Sequence, residues 1–144
     1  MTTELPVIVV SSGEPAGIGP DICVSLGKHH IGARLSVLGD HGLFADRARK
    51  LGLRVHLRDC DTIAQVGPHL IGSVQVLPIA LRAPAVAGRL DVANAAYVLD
   101  MLRRGAALCS AGAAQALVTA PVQKSVITES GVRFSGHTEL LAEL

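Results

Sequence analysis

Aromatic side chains are almost absent from this sequence, whose 144 residues include two Phe, one Tyr and no Trp. Proteins that hold single-stranded nucleic acid stack its bases on aromatic side chains, and this chain has too few to form such a platform. Its core has to be built from Val, Leu, Ile and Ala, since 49% of its residues are hydrophobic. That composition favours a parallel sheet covered by helices over an aromatic-rich antiparallel barrel.

An excess of charge of one sign is also lacking. The 13 Lys and Arg residues nearly balance the 12 Asp and Glu residues, the net charge is +1, and the basic residues are scattered. A nucleic-acid binder needs a basic stripe or patch. We therefore expect no nucleic-acid partner.

Paired cysteines, targeting signals and long apolar runs are missing as well. Cys23, Cys60 and Cys109 are widely spaced and form no CxxC pair, so we expect reduced, buried thiols. The N-terminus has no basic segment before an apolar one, and no stretch approaches the roughly 20 apolar residues that span a bilayer. These absences predict a cytoplasmic protein that has no membrane contact.

The first part of the chain alternates between strand and helix patterns. Strands are predicted where β-branched and apolar residues cluster, and helices where amphipathic runs follow a Pro or end at a Gly. The predicted strands are residues 7–11, 34–38 and 54–57, and the predicted helices are residues 20–29 and 41–51. This rhythm is typical of an α/β fold with an open, mostly parallel sheet flanked by helices.

The second part continues the alternation with strands at 74–79 and 116–119, separated by a loop at 82–88 and one long helix. Asp91 is the predicted N-cap of that helix, and Gly112 closes it. Its apolar face is predicted from the i, i+3, i+4 spacing, with Asn94, Arg103 and Arg104 away from it. The residues of this face are Val92, Ala95, Ala96, Leu99, Leu102 and Ala106.

The last residues begin another helix, which carries Leu140, Leu141 and Leu144 on one face and stops after about two turns. So short a helix is marginal unless its apolar face packs on something. We expect residues 1–144 to be a fragment or a truncated chain. Such a portion should expose an apolar patch where this helix ends.

A glycine-rich segment, Gly-Glu-Pro-Ala-Gly-Ile-Gly-Pro at 13–20, connects the first strand to the first helix. It lacks the Lys of a P-loop, and a GxGxxG spacing from Gly17 fails at Ile22. Two interpretations stay open: a ligand-facing loop, or a tight turn whose glycines permit positive φ and close strand–helix contact. The candidate site residues of this loop are Gly13, Glu14, Gly17 and Gly19.

Thr119 and Lys124 flank the segment that follows the last predicted strand, where Pro121 suits the start of a helix. In open parallel sheets, ligands collect at the carboxyl ends of the strands. A hydroxyl and an ammonium placed there could meet an anionic substrate. The alternative is a capping hydroxyl and a solvated Lys.

His137 and Thr138 are predicted to open the next helix, within Ser-Gly-His-Thr-Glu at 135–139. The positive end of the helix dipole lowers the pKa of an imidazole in the first turn and favours its neutral form. A neutral imidazole both donates and accepts hydrogen bonds, which suits a substrate hydroxyl or carbonyl, and Thr138 adds a second group of this kind. A purely structural His-Thr pair is the alternative.

No metal site is predicted in this chain. The other five histidines do not pair at metal-ligand spacing with one another or with acidic residues, and no zinc motif, GxSxG segment or Ser/His/Asp arrangement is present. These histidines are His29, His30, His41, His56 and His69.

Three motifs, in this order, resemble one enzyme family. The segments at 13–20, 119–124 (Thr-Ala-Pro-Val-Gln-Lys) and 136–139 (Gly-His-Thr-Glu) resemble the 4-hydroxythreonine-4-phosphate dehydrogenases of pyridoxal phosphate biosynthesis. The resemblance runs over essentially the whole chain and implies the N-terminal part of a longer homodimeric enzyme. It also implies a two-domain fold like that of the isocitrate and isopropylmalate dehydrogenases.

The resemblance implies an oxidoreductase that uses NAD or NADP and a divalent metal such as Zn, Mg or Co. Such an enzyme oxidises the 3-hydroxyl of a phosphorylated substrate, and the resulting β-keto acid loses carbon dioxide. By this resemblance His137 and Thr138 bind substrate, whereas three metal-binding histidines and most phosphate-binding residues lie beyond position 144. No specific role follows for Lys124 or for the 13–20 loop, and the 144-residue chain alone is expected to be inactive.

Two other functions stay open. A related dehydrogenase would act on other phosphorylated C4 hydroxy acids, such as threonate or erythronate 4-phosphate, or on cyclic diol carboxylates. A truncated, non-catalytic chain would serve as a binding or dimerisation module.

Overall fold

The structure, a computed structural model, describes residues 4–144 as an α/β fold with one parallel sheet. Its strands are β1 Val7–Ser11, β2 Arg34–Gly39, β3 His56–Asp59, β4 Ser73–Pro78 and β5 Ala116–Thr119. Its helices are α1 Gly19–Ser25, α2 His41–Lys50, α3 Ala95–Ser110, α4 Lys124–Glu129 and α5 His137–Glu143. Short 3-10 turns occur at Leu26–Lys28, Ile63–Gln65 and Val92–Asn94. The strand order is β3-β4-β2-β1-β5, with every neighbouring pair parallel.

β1 lies inside the sheet, paired with β2 on one side and β5 on the other. Successive side chains of a strand point to opposite faces. Val7 and Val9 accordingly join the core on the side of α3, while Val10 joins the core on the side of α1 and α2. Burial on both faces explains why β1 reads as an almost continuous apolar run.

The carboxyl ends of the parallel strands meet at one edge of the sheet. Ser11 ends β1 and pairs with Thr119, which ends β5. The loop after β1 and the segment after β5 are therefore neighbours, although more than a hundred positions separate them in the sequence. This edge holds the candidate residues of both segments.

The predicted fold class is confirmed, while some predicted boundaries are not. The third strand is His56–Asp59 rather than 54–57, because its register is set by pairing with β4, in which His56 lies opposite Ser73. The first helix ends at Ser25 and continues only as a 3-10 turn to Lys28. Strand pairing and helix endings of this kind depend on neighbours that a local pattern does not contain.

α3 buries a wider stripe than its spacing predicts. Ala96, assigned to the apolar face, is exposed. The helix contacts strands β1, β2 and β5 and also helices α4 and α5, so a narrow apolar stripe does not cover all of its contacts. Its buried residues are Ala95, Tyr97, Val98, Leu99, Met101, Leu102 and Gly105.

The prediction that Asn94 points away from the buried side is wrong. Its side chain is 2% exposed, and its Oδ1 accepts hydrogen bonds from the backbone N–H groups of Arg82 and Ala83, both at 3.0 Å. Asn94 therefore fixes the start of the segment that follows β4. A helical-face pattern misses this role because the partners lie on a loop.

The thiols and the last helix follow the sequence predictions in part. Cys23 and Cys60 are buried, Cys109 is half-buried, and all three are free. Leu140 packs partly against the core, whereas Leu141 and Leu144 are exposed and leave an apolar surface at that helix. Across residues 4–144, no helix has both the length and the apolar character needed to cross a membrane.

Candidate functional site

The glycines at both ends of the 13–20 loop are required by close backbone packing. Gly13 has a φ of +73°, and a Cβ there would lie 2.2 Å from the carbonyl oxygen of Pro121. A Cβ on Gly19 would lie 1.8 Å from the carbonyl oxygen of Ser12. Both distances are far below van der Waals contact, so these contacts support the tight-turn interpretation for Gly13 and Gly19. Gly17 differs, because its nearest such neighbour would be the Glu14 carbonyl oxygen at 3.4 Å.

Glu14 is a buried carboxyl group within this loop. It is 5% exposed, and its Oε1 accepts a hydrogen bond from the backbone N–H of Ala16 at 3.1 Å. Burial raises the pKa of Glu14; the Ala16 N–H opposes this rise, and the carboxylate of Asp91 adds to it. The Glu14 backbone N–H donates to the Pro121 carbonyl at 3.0 Å, which joins the loop to the segment after β5.

Helix α4 begins at Lys124, not at Pro121 as the sequence suggests. The Pro121 carbonyl accepts the Glu14 N–H, so the chain at this point is held by the loop instead of continuing into a helix. Gln123, just before the helix, is extended, with φ −99° and ψ 104°. Lys124 is exposed at the start of α4, while Thr119 is half-buried at the end of β5.

His137 opens α5 and has a ring nitrogen that lacks a partner. Its Nε2 is buried and makes no hydrogen bond with any residue that the structure describes. The ring of Phe134 packs edge-on, with the ring centroids 6.1 Å apart and an interplanar angle of 78°. Burial lowers the pKa of His137, and the Lys124 ammonium lowers it further, so the neutral imidazole is favoured near neutral pH.

Charged groups flank the backbone next to His137. A Cβ built on Gly136 would lie 2.9 Å from Glu139 Oε2 and 3.8 Å from Lys124 Nζ. The structure therefore brings Lys124 and His137 together, as it brings the 13–20 loop and Pro121 together. Thr138 is exposed beside them.

One family of known proteins matches most of this chain. The family model described as "Pyridoxal phosphate biosynthetic protein PdxA" matches residues 32–144. The chain belongs to the PdxA family.

Curated relatives of this PdxA-family chain are similar along nearly all of it. A 4-hydroxythreonine-4-phosphate dehydrogenase of Methylococcus capsulatus is 50% identical over 137 residues, which cover 95% of this chain and 42% of the relative. One from Chromobacterium violaceum is 49% identical over 138 residues, covering 96% of this chain and 41% of the relative. The chain thus spans about two fifths of the length of the curated relatives it matches.

Solved structures share the fold of this PdxA-family chain. A 4-hydroxythreonine-4-phosphate dehydrogenase from Burkholderia phymatum matches with a TM-score of 0.89 at 25% identity, over 98% of this chain and 44% of that one. One from Klebsiella pneumoniae matches with a TM-score of 0.87 at 31% identity, over 96% of this chain and 44% of that one. These matches confirm the parallel sheet flanked by helices as a portion of the PdxA fold.

Two buried polar residues of this PdxA-family chain were not among the sequence candidates. The Ser11 hydroxyl, at the carboxyl end of β1, is buried without a partner among residues 4–144. Arg47 of α2 is 4% exposed and contacts the 13–20 loop. The position of Ser11 at a strand end was readable from the sequence, whereas Arg47 stands in a run of basic residues that looks like a solvated helix face.

Within residues 4–144 of this PdxA-family chain, no three His, Cys, Asp or Glu side chains are grouped so that they could hold a metal ion. The described residues therefore do not form the metal site that the resemblance implies.

Proposed function

We propose that this chain is the N-terminal portion of a two-domain, homodimeric 4-hydroxythreonine-4-phosphate dehydrogenase and supplies part of its substrate site. The complete enzyme would be cytoplasmic and use NAD or NADP and a divalent metal. The nicotinamide would accept the hydride, and the metal would polarise the substrate's oxygens. We assign neither group to residues 4–144.

The main support for this function is the buried Nε2 of His137 beside Lys124, which has no hydrogen-bond partner among residues 4–144. A buried polar atom without a hydrogen bond is costly, so such an atom at the carboxyl edge of a parallel sheet suits a ligand that completes it. Because its imidazole is neutral near pH 7, His137 either donates to or accepts from a substrate hydroxyl. Thr138 adds a hydroxyl, and Lys124 offers a cation to the anionic substrate.

A chimeric enzyme tests this proposal. In it, the chain replaces the matching 137 residues of the Methylococcus capsulatus relative, and turnover is followed by nicotinamide reduction. We expect activity with 4-hydroxythreonine 4-phosphate. H137A should lower kcat/KM at least about 100-fold, in line with the loss of one preorganised hydrogen-bonding group.

A matched histidine serves as the control. His41 is paired with Asp59 at 2.8 Å and is 45% exposed, so H41Q should leave turnover unchanged. A folded but inactive chimera, or an active one insensitive to H137A, contradicts the proposal. Preferred turnover of threonate or erythronate 4-phosphate, or of a cyclic diol carboxylate, would move the assignment to a related dehydrogenase.

A further inference from the structure

Arg47 is a buried cation that reaches from α2 to the 13–20 loop. Its side chain is 4% exposed, whereas Arg49 and Lys50 on the same helix are 76% and 55% exposed. Nη2 donates to the Pro15 carbonyl at 2.6 Å, and Nη1 donates to the Gly17 carbonyl at 2.8 Å. Arg47 is therefore buried and hydrogen-bonded to the loop, whereas the basic residues around it are solvated.

These hydrogen bonds orient two peptide groups of the loop. In a trans peptide the C=O and the following N–H point in opposite directions. With the Pro15 carbonyl turned towards Arg47, the N–H of Ala16 faces the other way, where it donates to Glu14 Oε1 at 3.1 Å. Arg47 thus acts on the Glu14 carboxylate through the peptide group between Pro15 and Ala16.

Arginine suits this position better than lysine. The guanidinium is a flat fork of five N–H donors, so one side chain serves two carbonyls and a carboxylate together. The carboxylate is that of Asp21, whose Oδ1 lies 3.2 Å from Nη1 and compensates the buried charge. A lysine ammonium would keep the charge but lose the fixed spacing between its donors.

Two backbone hydrogen bonds that do not involve α2 also hold this loop. The Glu14 N–H donates to the Pro121 carbonyl at 3.0 Å, and the Gly88 N–H donates to the Ala16 carbonyl at 2.8 Å. The loop is thereby joined to the segment that leads to Lys124. A shift of the loop would therefore displace both Glu14 and that segment.

We propose that Arg47 is a positioning residue, which fixes the 13–20 loop and, through it, the Glu14 carboxylate and the segment before Lys124. The consequence for catalysis rests on the function proposed above. Positioning groups contribute to the rate because small displacements of reacting or binding groups are costly in the transition state.

Amide hydrogen exchange of the 144-residue chain tests the positioning directly. In R47M, the Ala16 and Gly17 amides should exchange at least 10-fold faster than in the unsubstituted chain, while core amides of α3, such as that of Leu102, stay unchanged. Local opening accelerates only the amides of the loop, whereas a general loss of stability accelerates all of them. R49M, on the same helix but at a side chain that is 76% exposed, should leave the loop amides within threefold of their original rates.

Kinetics of the chimeric enzyme test the consequence. R47M should lower kcat at least 10-fold with KM changed less than threefold, and R47K should recover part of the loss. Unchanged loop exchange, equal acceleration of all amides, or an active chimera indifferent to R47M would overturn the proposal. If the parent chimera is inactive, the proposed function fails, and hydrogen exchange still decides whether Arg47 holds the loop.

Discussion

At the scale of single residues, His137 shows how a local environment sets a protonation state. Burial of the ring is the larger cause of its lowered pKa, and the Lys124 ammonium on the neighbouring helix is the smaller one. The carboxylate of Glu139, on the same helix as His137, also lies near Gly136. Near neutral pH the uncharged imidazole can therefore donate a hydrogen bond from one ring nitrogen and accept one at the other.

We predict that K124M raises the pKa of His137 only part of the way to its ordinary value, since burial remains. NMR titration of the imidazole carbon-bound protons measures this shift, and K28M, on the 3-10 turn after α1, is the matched control. Because the folded-state pKa is lowered, the unfolded chain binds the proton first as pH falls. His137 therefore favours the fold above about pH 6.5, and this contribution is lost as pH falls below it. An unchanged His137 pKa in K124M would refute the contribution assigned to the Lys124 ammonium.

Residue roles were readable from the sequence where the reason is local. A lowered His137 pKa follows from its predicted place at the start of a helix, although in the structure burial and the Lys124 ammonium cause the shift. The burial of Arg47 does not follow in this way, because its partners Pro15 and Gly17 stand about thirty positions earlier, beyond any local pattern. Whether His137 and Thr138 bind substrate stays a prediction until the chimera is assayed.

At the scale of elements, the β1–α1 loop is shaped by contacts on three sides. Ala120 and Pro121, which follow β5, lie against Gly13, and the Ser12 carbonyl lies against Gly19. Arg47 of α2 donates to the Pro15 carbonyl of the loop. A short connection between a strand and a helix can thus be more constrained than either element. The space available beside Gly13 and Gly19 restricts which residues this loop can carry.

We predict that G19A lowers the free energy of unfolding by more than about 2 kcal/mol, since its Cβ would overlap the Ser12 carbonyl at 1.8 Å. G17A in the same loop is the matched control. Its Cβ would stand 3.4 Å from the nearest such atom, so we expect a change within about 0.5 kcal/mol. Urea denaturation of the two variants measures both values. Equal losses in G19A and G17A would contradict the packing role assigned to Gly19.

Two strands, β1 and β5, match their predicted bounds in full. β1 matches its prediction residue for residue, because a strand covered on both faces is apolar throughout. β3 is mostly exposed, with His56 and Arg58 in a four-residue strand, and its place is set by β4. The start of α4 was missed because a distant N–H, that of Glu14, holds Pro121.

At the scale of the whole molecule, the chain carries a sheet, two cores and one set of candidate binding groups. The grouping of His, Cys, Asp and Glu side chains that would hold a metal is absent from residues 4–144. The fold was predictable as a class because strands and helices alternate. The strand order, in which β4 lies between β3 and β2, was not, because a one-dimensional pattern does not specify which strands pair.

We predict that the isolated 144-residue chain reduces no NAD or NADP with 4-hydroxythreonine 4-phosphate. It should also bind Zn²⁺ more weakly than about 1 µM, or roughly 8 kcal/mol, against the 10–16 kcal/mol of built zinc sites. Absorbance of the reduced nicotinamide and titration calorimetry measure the two quantities, with the active chimera as the control. Turnover or tight zinc binding by the isolated chain would show that the described residues suffice after all.

The place of β1 between β2 and β5 has a consequence for synthesis on the ribosome. The Val7 N–H is bonded to Gln115 Oε1, 108 positions later in the chain. At about 5–20 residues per second, translating that interval takes roughly 5–20 s. Throughout it, the β1 edge that later receives β5 has no partner strand, while both of its faces carry apolar side chains. The nascent chain therefore exposes an apolar strand, unpaired at this edge, to chaperones before β5 has left the ribosome.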